Sequence, residues 1–97
     1  KDLSINVARH TVAVTIDSQT QYLELSPLEF KLLSYLAQNS ESVFTRNQLL
    51  DSVWGNGSHV VDRSVDSCIA KLRAKLGNLS NHIKSIHGVG YKFSDSQ

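Results

Sequence analysis

The stretch of sequence that decides the fold is residues 62–94, DRSVDSCIAKLRAKLGNLSNHIKSIHGVGYKFS. Its first half, from Asp62 to Leu76, carries apolar side chains at helical spacing. The apolar stripe predicted to be buried consists of Val61, Val65, Ile69, Leu72 and Leu76. Asp62 is predicted to cap this helix, and Gly77-Asn78 to end it.

The opposite face of this predicted helix carries only small or basic side chains. They are Arg63, Ser67, Ala70, Lys71 and Ala74. Ser64, Cys68 and Lys75 flank the buried stripe on one side. Because most of these side chains are short, the outer face can come close to another surface.

A β-hairpin is predicted directly after the helix, with strands at Ile83 to His87 and Tyr91 to Ser94. The connecting Gly88-Val89-Gly90 contains two glycines, which permit positive φ angles in a tight turn. The strands and tip of this hairpin carry Lys84, His87 and Lys92.

Two more helices are predicted upstream, each with its own start signals. Ser26 and Glu29 form a capping box with Pro27 at the first helical position, and this helix runs to about Gln38. Thr45 and Gln48 repeat the capping box, and the second helix ends near Trp54-Gly55.

Alternating apolar residues before the first helix predict three short strands in an antiparallel meander. The resulting fold is α+β: a winged helix-turn-helix with an N-terminal antiparallel sheet, three helices and a C-terminal β-hairpin wing. We expect one domain over residues 1–97, divided into the sheet (1–25), a three-helix core (26–78) and the wing (83–94).

Charge is unevenly distributed along the chain. Residues 1–62 contain four basic and seven acidic side chains, and residues 63–97 contain six and two, giving net charges of −3 and +4. A one-sided basic surface attracts phosphate, although composition alone fits a solvated helix equally well.

The order of the elements, a basic helix followed by a basic hairpin, favours the binding of duplex DNA, whose major groove is about 12 Å wide and admits one helix. The cations expected to face phosphates are Arg63, Lys71, Arg73, Lys75, Lys84 and Lys92.

The sequence predicts neither an enzyme nor a cofactor or metal site. Gly88 and Gly90 lack the third glycine and following helix of a dinucleotide-binding loop. No histidine lies within helical reach of Ser64 or Ser67 to act as a base. The histidines lack the short spacing of metal ligands; they are His10, His59, His82 and His87.

Cys68 is the single cysteine, which excludes an internal disulfide and suits a cytoplasmic protein. The position of Cys68 favours a role as a small, partly buried hydrophobic residue, and a role as a redox sensor is the alternative.

The apolar runs of the chain are too short to span a bilayer, and the N-terminus lacks the features of a signal peptide. Because Lys1 begins abruptly within strand-like sequence, we expect a fragment of a longer protein.

Six motifs occur in a familiar order: LSPLEFKLL (25–33), TRNQLL (45–50), VWG (53–55), DRSVD (62–66), LRAKL (72–76) and GVGYKF (88–93). With these motifs the chain resembles the effector domains of the bacterial OmpR/PhoB family. The resemblance implies the DNA-binding output domain of a two-component response regulator, joined to a receiver domain that takes part in a phosphorelay. It also implies a four-stranded N-terminal sheet and head-to-tail pairs on direct-repeat DNA sites.

The resemblance further implies roles for individual residues. Arg63 and Ser64 resemble phosphate-contacting residues, Arg73 and Ser85 further backbone contacts, and the groove-facing positions are Ser67, Cys68 and Lys71. His87 takes the place of an arginine that often enters the minor groove, and Ala70 that of a basic residue. The loop from Trp54 to Val61 corresponds to a contact with RNA polymerase, with Asn56, Ser58 and His59 as exposed candidates.

Two alternatives remain open from the sequence. The same fold could be the cytoplasmic DNA-binding domain of a membrane-anchored activator of the ToxR/CadC type. A winged-helix module that binds only proteins is the other alternative.

Overall fold

The computed structural model describes residues 2–55 and 60–95. The elements are, in chain order, β1 (Asp2–Asn6), β2 (Thr11–Ile16), β3 (Gln19–Leu23), α1 (Pro27–Gln38), β4 (Phe44–Thr45), α2 (Arg46–Leu49), α3 (Arg63–Leu76), β5 (Ile83–Ile86) and β6 (Gly90–Phe93). A π-helical turn, Leu50–Trp54, extends α2, and a 3-10 turn, Gly77–His82, follows α3. The predicted α+β winged helix-turn-helix is confirmed.

The N-terminal sheet has the order β1-β2-β3, with antiparallel neighbours. Val12 and Val14 of the middle strand are buried in the core, as period-two alternation requires. The three predicted strands are confirmed. The resemblance implied a fourth strand in this sheet, and that expectation is wrong, because the described residues form a sheet of three strands. Residues 24–26 lead from β3 into α1, and Ser26 is the N-cap of that helix.

Both predicted capping boxes are present. At α1, the Ser26 hydroxyl accepts from the Glu29 amide at 3.2 Å, and a Glu29 carboxylate oxygen accepts from the Ser26 amide at 2.8 Å. At α2, Thr45 and Gln48 make the equivalent bonds at 3.1 and 2.8 Å. These reciprocal bonds satisfy amides that a helix start leaves without partners.

Helix α3 buries most of the predicted stripe, but its start differs from the expectation. Val65, Ile69, Leu72 and Leu76 are buried, whereas Val61 is 65% exposed. Asp62 makes no side-chain cap, because its own backbone is helical (φ −51°, ψ −34°) instead of extended. The prediction of Asp62 as a cap and Val61 as a core residue is therefore wrong.

The wing belongs to a second sheet with the order β4-β6-β5. Its strands, Ile83–Ile86 and Gly90–Phe93, confirm the hairpin but end one residue earlier than predicted, and β6 also starts one residue earlier. Strand β4 was not predicted, and its Phe44 lies opposite Tyr91. Gly90 allows this pairing, since a Cβ there would overlap the Phe44 carbonyl oxygen. The wing is thereby fixed to the segment that starts α2.

Candidate nucleic-acid interface

The outward face of α3 carries the predicted small and basic side chains. Arg63, Ser67, Lys71 and two alanines, Ala70 and Ala74, are all exposed, and Ser64 is half-buried. Directly behind them the helix packs on the core through Leu72, which is fully buried. The helix therefore presents two long cations, Arg63 and Lys71, among short side chains, and a partner surface could approach it closely.

Cys68 contributes little to that surface. It was predicted to face the groove, but it is buried, with 7% of its surface exposed. Burial raises the pKa of the Cys68 thiol to about 11, so the reactive thiolate is scarce at neutral pH. The structure therefore favours the small buried hydrophobe over the redox sensor.

The wing turn is formed by His87, Gly88 and Val89 between β5 and β6. Gly88 has a φ of +75°, as the predicted turn requires, and Val89 donates to the Ile86 carbonyl at 2.9 Å. His87 is exposed, and so is half of Val89. The tip thus presents one titratable and one apolar side chain to a partner.

Arg73 joins the wing to α3. Its guanidinium donates to the Ile83 carbonyl and to the Ser85 hydroxyl, both at 2.8 Å. It also lies 5.8 Å from the centre of the Tyr91 ring, within cation–π range. Two residues predicted as separate DNA backbone contacts, Arg73 and Ser85, are therefore bonded to each other.

A second link between helix and wing involves Arg46, which the sequence analysis did not single out. Arg46 donates to an Asp66 carboxylate oxygen at 3.0 Å, and the buried Tyr91 donates its hydroxyl to the same oxygen at 2.5 Å. The Tyr91 hydrogen bond holds the pKa of Asp66 below its usual range, against burial and with help from Arg46. The capping box placed Arg46 at the start of α2, but no sequence signal placed the wing beside it.

Arg46 also lines a groove of about 260 Å³ together with the wing turn. The other lining residues include Ser85, His87 and Tyr91. The start of α2 and the wing thus meet around one concave surface.

The segment from residue 19 to residue 93 matches the protein family described as "Transcriptional regulatory protein, C terminal". This chain belongs to that family. It is 42% identical over 82 residues to the phosphate regulon transcriptional regulatory protein PhoB of Pseudomonas aeruginosa, which covers 84% of this chain and 35% of that protein. The chain thus spans about a third of that relative's length.

Two solved structures share the fold over nearly the whole chain. The response regulator AdeR DNA-binding domain, crystallised with an intercistronic region, has a TM-score of 0.84 at 29% identity and covers 98% of this chain and 96% of its own. DrrB, an OmpR/PhoB homologue from Thermotoga maritima, has a TM-score of 0.81 at 34% identity, covering 97% and 42%. The predicted resemblance is confirmed: the chain is a transcriptional regulatory domain of the OmpR/PhoB type.

Within this OmpR/PhoB-type domain, the predicted phosphate-facing cations fall into two groups. Lys75 pairs with Glu29 at 2.6 Å, and Lys92 with Glu41 at 3.4 Å. In residues 2–55 and 60–95, Arg63, Lys71 and Lys84 form no ion pair, and Arg73 bonds only to neutral groups. Four positive charges therefore remain available to an anionic partner.

Other predicted features are partly or wholly outside the described residues. Asn56, Ser58 and His59 lie there, whereas Trp54, at the start of the same loop, is half-buried. Across the part of the chain that the structure describes, no cluster of three His, Cys, Asp or Glu side chains could hold a metal ion. No helix in that part is long and apolar enough to cross a membrane.

Proposed function

We propose that this domain binds duplex DNA through α3 and the wing, and that it regulates transcription as the output domain of a bacterial two-component response regulator. The observation that carries the proposal is the bonding of Arg73 to Ser85, which holds the exposed helix face and the wing side by side. With four uncompensated cations around it, this surface can follow a DNA backbone while α3 enters the major groove.

Salt dependence tests the electrostatic part of this proposal. Four cations that each neutralise one phosphate give a slope of log affinity against log salt of about −3.6 per monomer, at about −0.9 per phosphate. The slope is measured by fluorescence anisotropy with a duplex selected from genomic fragments. A slope near zero between low and moderate salt contradicts the proposal.

A matched pair of substitutions locates the contact surface. Lys84→Met removes a cation from the wing, and we expect the slope to become shallower by about 0.9. Lys31→Met removes an exposed cation from α1, outside the proposed surface, and the slope should stay at the parental value. Equal effects of the two substitutions contradict the placement of the interface.

We also propose that two copies bind head to tail on direct-repeat DNA. The support is the uneven charge, net −3 in residues 1–62 and +4 in residues 63–97, because a head-to-tail arrangement brings opposite charges together. Binding to one half-site and to two half-sites in direct or inverted orientation tests this. Cooperative binding only to the direct repeat is the expected result.

Contact with RNA polymerase is proposed for the loop between α2 and α3. The support is the apolar surface at its described end, where Val60 is 40% and Val61 65% exposed. These residues border a shallow groove of about 630 Å³ that also includes Leu50. Exposed apolar surface of this kind is typical of protein-binding sites.

Substituting Asn56, Ser58 and His59 together by alanine should lower transcription in a reconstituted assay and leave DNA affinity unchanged. The exposed Gln38 on α1 provides a control, since Gln38→Ala should change neither property. A parallel loss of DNA binding in the loop variant contradicts the assignment. Within the full-length protein, which we place in the cytoplasm, a receiver domain would govern this output by phosphorylation.

A further inference from the structure

Lys75 lies in the last turn of α3, but its ammonium group bonds to the first turn of α1. Its Nζ is 2.6 Å from Oε1 of Glu29, a residue 46 positions earlier in the chain. Glu29 is 5% exposed, whereas 41% of the Lys75 side chain remains accessible. A cation at the edge of the proposed DNA-binding surface is thus engaged with a nearly buried carboxylate.

The same carboxylate oxygen also caps α1, since it accepts from the Ser26 amide at 2.8 Å. Burial raises the pKa of Glu29, but the hydrogen bonds from Lys75 and the Ser26 amide outweigh burial and hold that pKa below its usual range. Glu29 therefore stays ionised at neutral pH. In the described residues, Lys75 is the cation that compensates it.

This arrangement makes a phosphate contact by Lys75 costly. If its ammonium moved to a DNA phosphate, the Glu29 carboxylate would be left buried without its counter-charge, which is strongly unfavourable. Arg63 and Lys84 form no ion pair in the described residues and can reach phosphates without that cost.

We infer that Lys75 is a positioning residue that fixes α3 on α1, and so sets how the outward face of α3 meets DNA bases, rather than a phosphate contact. The inference rests on the proposed DNA-binding function and replaces the sequence-based assignment of Lys75 to phosphate. It predicts that removing either charge changes the preference among DNA sequences more than the number of phosphates neutralised.

The test compares Lys75→Met, Glu29→Gln and the double variant with the parental chain. Glu29→Gln removes the charge but keeps a side-chain oxygen that can accept from the Ser26 amide, so the helix cap is retained. Two probes are used: a duplex selected from genomic fragments and a duplex of random sequence. Affinity for each is measured over a range of salt concentrations, with Lys84→Met as the variant that loses a phosphate contact.

We expect Lys75→Met and Glu29→Gln each to lower the affinity ratio of selected to random duplex by about 2- to 30-fold, the range for residues that modulate a site from outside it. The double variant should lose no more than either single variant, because both remove one interaction. The salt slope of Lys75→Met should match the parental slope, whereas that of Lys84→Met becomes shallower by about 0.9. Lys75→Arg, which keeps a cation, should restore the parental ratio.

A slope that becomes shallower by about 0.9 in Lys75→Met, together with a parental ratio in Glu29→Gln, overturns the inference and leaves the DNA-binding function standing. If the parental chain itself shows no salt-dependent binding, the proposed function fails first. If Lys75→Met does not fold, Glu29→Gln decides alone: a parental ratio there overturns the inference, and a lowered ratio supports it.

Discussion

The guanidinium group of Arg73 and the hydroxyl group of Ser85 lie 2.8 Å apart, so one hydrogen bond joins α3 to the first strand of the wing. A second bond of 2.8 Å from the same nitrogen reaches the Ile83 carbonyl, and the Tyr91 ring lies beside the guanidinium. Lysine cannot reproduce the whole set, because it lacks the flat guanidinium that lies over the Tyr91 ring.

Arg73→Lys should therefore keep the positive charge at this position and remove the guanidinium contacts that hold the wing. We expect the free energy of unfolding in urea to fall by about 1.5–3 kcal/mol, the range for hydrogen bonds that involve a charged group. DNA affinity should also fall, while the salt slope stays near the parental value because the charge is kept. Ser85→Ala removes only one of the bonds and should have a smaller effect. A fully stable Arg73→Lys variant with parental affinity would show that the bonds do not hold the wing.

Substitutions of Lys71 and Arg63 should affect DNA binding in different ways. Lys71 points outward from the middle of α3, whereas Arg63 is its first residue and lies toward the DNA backbone in the proposed complex. Lys71→Ala should therefore relax sequence preference, and Arg63→Ala should weaken binding to selected and random duplexes alike. Anisotropy with both duplexes measures this. Equal loss on both duplexes in Lys71→Ala would remove it from the base contacts.

His87 should contribute to DNA binding from the wing tip, where it is exposed. His87→Arg places a permanent cation at the tip, so it should raise affinity and add a preference for narrow, A·T-rich flanks if the tip enters the minor groove. Anisotropy with duplexes that differ only in their flanks measures this.

The control for this wing-tip effect is His10→Arg. His10 stacks on Phe30 with ring centres 4.7 Å apart, in the turn between β1 and β2. Its substitution should leave the preference among flanks unchanged. If His87→Arg also leaves affinity and flank preference unchanged, the wing tip does not carry charge into the minor groove.

Gly90→Ala should destabilise the domain by about 1–3 kcal/mol, the typical cost of an overpacked site. The reason is that its Cβ would overlap the backbone of Phe44, which cannot move without breaking the pairing of β4 with β6. Gly88→Ala is the matched control: its Cβ meets open space, and only the φ of +75° opposes it, at about 1–2 kcal/mol. A Gly90→Ala variant as stable as the parental chain in urea would contradict the close approach.

The sequence predicted the elements whose signals are local. The capping boxes at Ser26 and Thr45, the buried stripe of α3 from Val65 to Leu76, and the hairpin turn at Gly88 all depend on residues within one turn or strand. The prediction that Val61 is buried was wrong because Val61 precedes the first residue of α3, where the chain no longer follows the helical period.

The pairings between distant segments could not be predicted in this way. The bond of Lys75 to Glu29 and that of Arg46 to Asp66 join residues far apart in the chain, and no periodicity encodes them. The two residues of β4 are too few for an alternating pattern to reveal a strand. Composition identified the cations of the proposed interface, but only the fold separates compensated from uncompensated charges.

The strand order β4-β6-β5 has a consequence for how the chain is made. The central strand of this sheet is the last one synthesised, so a nascent chain that ends before residue 93 lacks the neighbour to which β4 and β5 both bond. Until that strand leaves the ribosome, the backbone donors and acceptors of Phe44 and Ile83 have no sheet partner. The proposed DNA-binding surface can therefore be completed only after translation of the wing, and a truncation inside β6 should abolish the native fold instead of trimming its edge.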